Sequence, residues 1–176
     1  MAKLVTFSFP LMLTSLLKLS KYSPLELIDT IVSQHRTKMS KQTSESISSL
    51  DESNISKLDT IAAYTILRLM SKVPSPSNGW GHGPKNNQVR VGDDIERIRY
   101  LRNKFLHRRS TKVPRNEFMS FFTEVKYIAK RFDILCKAKG MFEQDIETIQ
   151  FSRIHKMSYD RFIDEAHGIV NSIIGK

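Results

Sequence analysis

Apolar residues recur at three- and four-residue intervals along several stretches of the chain, which is the spacing of amphipathic helices. The clearest of these stretches cover residues 58–70, 93–109 and 115–138. No segment alternates apolar and polar residues convincingly over the length of a strand. The pattern predicts an all-α bundle of about five to seven helices, with a long Pro- and Gly-containing loop before the helix that starts near residue 93.

Two more helices are predicted before residue 40, where they form an N-terminal hairpin. The first covers residues 8–19, and its apolar surface consists of Leu11, Leu13, Leu16 and Leu17. The second starts at the tetrapeptide Ser23–Glu26, because Ser can cap a helix, Pro suits its first position and Glu completes a capping box. It should run to about Met39, with four apolar side chains inward: Leu25, Ile28, Ile31 and Val32.

Composition divides the chain into four segments. We expect the hairpin at 1–39, a Ser-rich linker or a set of short helical turns at 40–57, the core of the domain at 58–138, and C-terminal helices packed on the same domain at 141–176. In the last segment the helices should cover about 142–154 and 159–174. Gly140 is expected to end the long helix, whose buried stripe is Phe118, Phe121, Phe122, Val125, Ile128, Ala129, Phe132 and Leu135.

The helix over 93–109 organises the rest of the chain. Asp93 or Asp94 is expected to cap it, with Glu96 as a capping-box acid. Its core-facing arc consists of Ile95, Ile98, Leu101, Phe105 and Leu106. Arg102 projects from the middle of this arc, and a buried guanidinium needs a carboxylate or a phosphate beside it. The carboxylate alternatives are Asp59 and Glu124.

Asn103 and His107 share another face of this helix, because they are four residues apart. Arg102 and His107 are five residues apart and point about 140° away from each other on a regular helix. They can meet only if the helix unwinds near His107, or if two helices come together across a dimer axis. His107 also has a structural alternative, as a cation that stabilises the C-terminal end of the helix dipole.

Positive charge is concentrated on and after the same helix. The formal net charge is +10, and the segment Arg97–Arg115 contains eight Lys or Arg residues and no Asp or Glu. Such a cluster attracts a polyanion, and the alternative is a solvated basic face. The single cysteine, Cys136, excludes an internal disulfide, which fits a cytoplasmic location, and it is expected to pack rather than react. No cofactor, metal site or membrane span is expected.

The loop over 73–92 carries two residues of interest. Trp80, the only tryptophan, is expected to anchor the loop on the bundle, with base stacking as the alternative. His82, between two glycines, is expected to be exposed, with a role at the site as the alternative.

The spacing from Arg102-Asn103 to His107 resembles the signature of HEPN domains (higher eukaryotes and prokaryotes nucleotide-binding). Several surrounding sequences make the chain similar to the subtype named after the DAZ-interacting RING-type ubiquitin ligase, over about residues 55–137: Leu58-Asp59, Pro76, Asn78-Gly79-Trp80-Gly81, Pro84, Asp94-Ile95-Glu96-Arg97-Ile98 and Glu117-Phe118. The resemblance implies a dimeric helical bundle, and in many members a metal-independent endoribonuclease whose Arg and His act from both protomers.

On this hypothesis Arg102 binds the scissile phosphate, His107 transfers protons and Asn103 orients His107 or the 2′-oxygen. The RNA backbone would contact Arg99, Tyr100, Lys104, Arg108 and Arg109. The products would be a 2′,3′-cyclic phosphate and a 5′-hydroxyl end. Two alternatives remain: a non-catalytic RNA or nucleotide binder, and a dimerisation module of a larger immune or ubiquitin-pathway protein.

Overall fold

The computed structural model describes residues 3–19, 23, 26, 29, 31, 40–50, 55–70, 73–108 and 113–152. In this part of the chain every regular element is helical. A π-helical turn, Leu4–Ser8, leads into α1 (Phe9–Leu19), and a 3₁₀ turn, Ile55–Lys57, precedes α3. The other helices are α2 (Lys41–Ser48), α3 (Thr60–Leu69), α4 (Val91–Leu106), α5 (Arg115–Cys136) and α6 (residues 141–152). The prediction of an all-α bundle is confirmed.

The centre of the bundle is α3, which contacts α1, α2 and α4. Its buried residues lie on more than one side, as expected for a central helix: Ala62, Ala63, Tyr64, Ile66 and Leu67. Asp59 caps α3 by accepting the N–H of Ala62 at 2.7 Å. None of the described helices is both long and apolar enough to cross a bilayer.

The Ser-rich region contains a regular helix, so its structure at 41–48 matches the helical-turn alternative. Ser40 caps α2 by accepting the N–H of Thr43 at 3.1 Å. Ile47 is fully buried, and Leu50 and Ile55 join it in the core. These three apolar side chains therefore pack the otherwise polar Ser-rich segment against the core.

The capping box predicted at Ser23 is present. The backbone N–H of Ser23 donates to Oε2 of Glu26 at 2.8 Å, and the backbone N–H of Glu26 donates to Oγ of Ser23 at 3.2 Å. Ile31 is fully buried, as expected. Leu25, Ile28 and Val32, with most of the helix predicted to reach Met39, lie outside the described residues, as does the predicted 159–174 helix.

Three apolar residues expected in the core are at least a third exposed: Leu11 at 37%, Leu106 at 48% and Leu135 at 44%. Leu106 and Leu135 stand at helix ends, where the neighbouring helix no longer covers them. Gly140 does not end α5. Lys137 does so in the left-handed conformation at φ 53°, and Gly140, at φ 83°, precedes α6.

Asp93 is the first of two acidic residues of α4 that anchor the preceding loop. Its carboxylate accepts the N–H of Ser77 at 2.6 Å, the hydroxyl of Ser77 at 3.0 Å and the N–H of Arg90 at 3.0 Å. Burial acts to raise the pKa of Asp93, but these hydrogen bonds outweigh it and hold the pKa below its ordinary value. The helix begins at Val91, earlier than predicted: the N-cap residue is Arg90 and not Asp93 or Asp94, and Asp93 accepts the N–H of Arg90. Gly92 lets the backbone of residues 74–76 pack against this first turn, because a Cβ there would lie within 3 Å of it.

Glu96 forms the second anchor and is fully buried. Its Oε1 accepts the hydroxyl of Tyr64 at 2.6 Å and the N–H of Gly81 at 2.7 Å, and its Oε2 accepts Nε of Arg99 at 2.7 Å. Burial, then the bond to Glu96, raises the pKa of Tyr64 to about 12. Trp80 stands edge-on to Tyr64, with ring centroids 5.8 Å apart. In this contact Trp80 packs against α3.

Asp94 joins α4 to α5. Both of its oxygens accept from Arg131, at 2.6 and 2.7 Å, and Oδ1 also accepts from Arg97 at 3.0 Å. The bidentate geometry fixes the distance and the rotation of one helix relative to the other.

Candidate functional site

Arg102 is half-buried on α4, and its Nη1 donates to Oδ1 of Asn103 at 3.0 Å. No carboxylate of the described residues lies within ion-pair distance of its guanidinium. Both expected acidic partners are placed elsewhere: Asp59 caps α3, and Glu124 lies 3.8 Å from Nε of Arg97. The guanidinium of Arg102, which was expected to need an anionic partner, therefore has no carboxylate beside it among the described residues.

The two preceding arginines of α4 differ from Arg102. Arg97 is buried, pairs with Asp94 and donates to the carbonyl of Lys85 at 2.6 Å. Arg99 pairs with Glu96, donates to the carbonyl of Gly81 at 3.0 Å and lies 5.5 Å above the ring of Tyr64. Arg99 therefore holds the loop in this structure, and contact with RNA remains a prediction for it.

His107 is the C-terminal cap of α4 and is exposed. Its backbone N–H still donates to the carbonyl of Asn103 at 3.0 Å, so the helix keeps its hydrogen-bond ladder up to this residue. Arg102 and His107 consequently keep the separation of about 140° that a regular helix imposes. No hydrogen bond links the two side chains, and local unwinding does not bring them together.

Glu117 of α5 forms ion pairs with two of the basic residues predicted to contact RNA, Arg108 and Lys104. Its Oε1 lies 2.6 Å from Nη1 of Arg108 and 3.8 Å from Nζ of Lys104. The hydrogen bond from Arg108 lowers the pKa of Glu117. Tyr100 is exposed, and Arg109 lies outside the described residues.

Sequence reasoning missed Glu117 as a partner, although the spacing carried a signal. Glu117, Glu124 and Arg131 are seven residues apart on α5, which places them on one side of the helix. Their ionic partners on α4 run in the opposite order along the chain: Lys104 and Arg108, then Arg97, then Asp94. A search for complementary charges at heptad spacing in two antiparallel helices would find this set.

Other chemistry has little support among the described residues. No group of three or more His, Cys, Asp or Glu is placed there to hold a metal ion. Burial, with the nearby charge of Asp133, raises the pKa of Cys136 to about 11, so its thiol is protonated at neutral pH. His82 is exposed on the loop.

Comparison with known proteins places these features in a family. The family model described as DZIP3/hRUL138-like HEPN matches residues 15–156, about four fifths of the chain. The match extends beyond residues 55–137, where the resemblance was recognised by motif. Searches of curated proteins and of solved structures found no significant match. The anchored loop and the arginine-to-histidine helix lie within the matched region, and the chain belongs to the DZIP3/hRUL138-like HEPN family.

Proposed function

We propose that this protein is a metal-independent endoribonuclease, and that its site joins Arg102 and Asn103 of one protomer to His107 of a second copy. The observation that supports this best is the contrast among the arginines of α4. Arg97 and Arg99 are ion-paired, whereas Arg102 has no carboxylate beside it among the described residues. A guanidinium with N–H groups to spare is suited to grip a phosphate with two hydrogen bonds.

The geometry of α4 supports the participation of a second copy. His107 points away from Arg102 on its own helix, so a site that uses both needs another chain. Leu106, four residues after Arg102 and three after Asn103, is 48% exposed on the same side of the helix. Covering this side with the same side of a second protomer would bury Leu106 and bring the two motifs together.

In the proposed reaction the 2′-oxygen of the substrate attacks the adjacent phosphorus while the bond from phosphorus to the 5′-oxygen breaks. His107 of the second copy accepts the 2′-hydroxyl proton or supplies one to the departing 5′-oxygen, and a water molecule serves in the complementary proton transfer. Arg102 stabilises the added negative charge on the phosphorane. The amide nitrogen of Asn103, which has no partner among the described residues, would orient the 2′-oxygen.

The test is incubation of the purified protein with mixed RNA in the presence of EDTA, followed by analysis of the product ends. We expect 2′,3′-cyclic phosphate and 5′-hydroxyl ends from the wild type and none from Arg102→Ala or His107→Ala. Arg68→Ala and His82→Ala are matched controls, because both residues are exposed and lie outside the proposed site. Cleavage by both site variants would reject the assignment, and salt-sensitive binding without cleavage would favour a binding module.

A mixing experiment tests the composite site separately. If Arg102 and His107 act across the dimer, combining the two inactive variants creates mixed dimers with one intact site out of two. Activity should return to about a quarter of the wild-type value when protomers exchange at random. If both residues act within one protomer, the mixture stays inactive.

A further inference from the structure

A cavity of about 240 Å³ lies between α4 and α5 beside the proposed site. Two of its lining residues, Lys104 and Arg108, lie three positions before His107 and directly after it. The apolar part of its wall is made by Leu101, Phe105 and Phe121. This volume is slightly below the range of cavities that hold drug-sized ligands, which suits a flat group of the size of a nucleobase.

Two carboxylates line the same cavity and are only partly neutralised. Oε1 of Glu117 forms ion pairs with Arg108 and Lys104, and Oε1 of Glu124 forms an ion pair with Arg97 at 3.8 Å. Among the described residues, no hydrogen bond is made to the second oxygen, Oε2, of either carboxylate. Glu124 has the longer contact and the more exposed side chain, 45% against 29% for Glu117. It is therefore the carboxylate with more capacity to accept hydrogen bonds from a ligand.

The nucleobases differ in what they present to a carboxylate. Guanine places its N1–H and its N2 amino group side by side, so both oxygens of a carboxylate can accept from it. Adenine and cytosine have an acceptor nitrogen beside their amino group, and uracil has one N–H between two carbonyls. Asn116 and Ser120 also line the cavity and can donate to O6 or N7 of guanine.

We propose that this cavity is a guanine subsite for the RNA strand, an inference that rests on the proposed function. Glu124 accepts from the guanine edge, the apolar wall packs against the ring, and Lys104 and Arg108 contact the phosphate attached to the same nucleoside. Glu117 holds these two cations at the end of the cavity that is next to His107. The bound guanosine then sits beside the phosphate that is cut.

The first experiment measures binding of GMP, AMP, CMP and UMP to the purified full chain in EDTA. GMP should bind most tightly. Glu124→Gln should weaken GMP binding about tenfold or more, because the amide places a donor against the donors of guanine. Glu147→Gln is the matched control, since it makes the same change of charge on α6, where Glu147 pairs with Lys126 outside the cavity.

A second variant tests the cavity without changing its charge. Ser120 is exposed on α5, so Ser120→Tyr can fill the cavity while the helix is retained. It should abolish GMP binding with an unchanged circular dichroism spectrum. Equal affinity for the four nucleotides, or GMP binding that neither variant weakens, would overturn the subsite.

Mapping the cleavage positions separates this inference from the proposed function. Selective GMP binding by a protein that cuts no RNA would support the subsite and reject the nuclease. Cleavage that depends on Arg102 and His107 but shows no preference for positions beside guanosine, with no GMP selectivity, would keep the nuclease and overturn the subsite.

Discussion

The start of α4, residues 91–98, and its end, from Arg102 to the cap residue His107, meet opposite surroundings. In the first stretch Asp93, Asp94, Glu96 and Arg97 are all buried, and each has specific hydrogen-bonding partners on the loop, on α3 or on α5. In the second stretch Arg102 has only Asn103 as a partner among the described residues, while His107 is exposed.

The difference follows from the cost of removing charge from water. A buried ionic group is tolerated only when partners replace its hydration, and in the first stretch those partners lie on the loop, α3 and α5, which the stretch holds together. A half-buried group without an acidic partner keeps its capacity to bind an anion. The two stretches should therefore respond differently to substitution, and four experiments test this.

Asp94→Ala should have the largest effect on stability. It leaves Arg97 and Arg131 without their shared carboxylate, and Arg97 has a side chain only 8% exposed. We expect the free energy of unfolding to fall by about 3–5 kcal/mol, as when one member of a buried ion pair is removed. Urea unfolding measures it. Glu147→Ala, which removes an exposed pair, should cost less than about 1 kcal/mol, and equal losses in the two variants would contradict the comparison.

Gly92→Ala should have the next largest effect. A Cβ at this position would lie 2.3 Å from the carbonyl oxygen of Pro74 and 2.7 Å from the nitrogen of Pro76. Because these are backbone atoms, we expect a loss of about 1–3 kcal/mol in the thermal unfolding free energy. Gly83→Ala is the control, since nothing lies within 4 Å of its Cβ position. A neutral Gly92→Ala would show that the loop can move away from α4.

Tyr64→Phe removes one donor from Glu96 and should cost about 1–2 kcal/mol. The pKa of Tyr64 is raised to about 12, so the folded state retains a proton that the unfolded state loses near pH 10. The stability supplied by the hydroxyl is complete below about pH 10 and declines as pH rises through about 12. The difference in unfolding free energy between wild type and variant should therefore shrink from about pH 9 to about pH 11.5. A difference that grows over this interval would contradict the assignment.

Arg102→Ala should have the smallest effect on the fold. With no described carboxylate to leave unpaired, the variant should unfold within about 0.5 kcal/mol of the wild type, as a surface substitution does. Arg97→Ala removes the same charge five residues earlier on α4, and it should lose at least about 2 kcal/mol because Asp94 is left partly unpaired. Similar losses from the two substitutions in urea unfolding would mean that Arg102 is a structural residue.

Helical periodicity was sufficient to predict most of the fold. It located α1, α3, α4 and α5, and the Ser23 capping box was predicted from its four residues. Periodicity reports which side of a helix is apolar but not how far a neighbour extends to cover it. This is why Leu106 and Leu135, at helix ends, were expected to be buried and are exposed.

The candidate site was predictable only in part. The positions of Arg102, Asn103 and His107 along one helix follow from spacing. The pairing of Arg97 with Asp94 and of Arg99 with Glu96 also follows from spacing, because each acid lies three residues before its arginine on α4. The placement of Asp59 and Glu124 away from Arg102 does not, because it depends on how α3 and α5 pack, and tertiary packing leaves no mark in local periodicity.

The anchors of the loop before α4 hold main-chain atoms. Glu96 binds the N–H of Gly81, Arg99 binds its carbonyl, and Arg97 binds the carbonyl of Lys85. The side chains of His82 and Lys85 take no part in these bonds and are exposed. Positions 82 and 85 therefore tolerate exchange of their side chains, and a randomised library at those two positions should yield a large proportion of folded proteins.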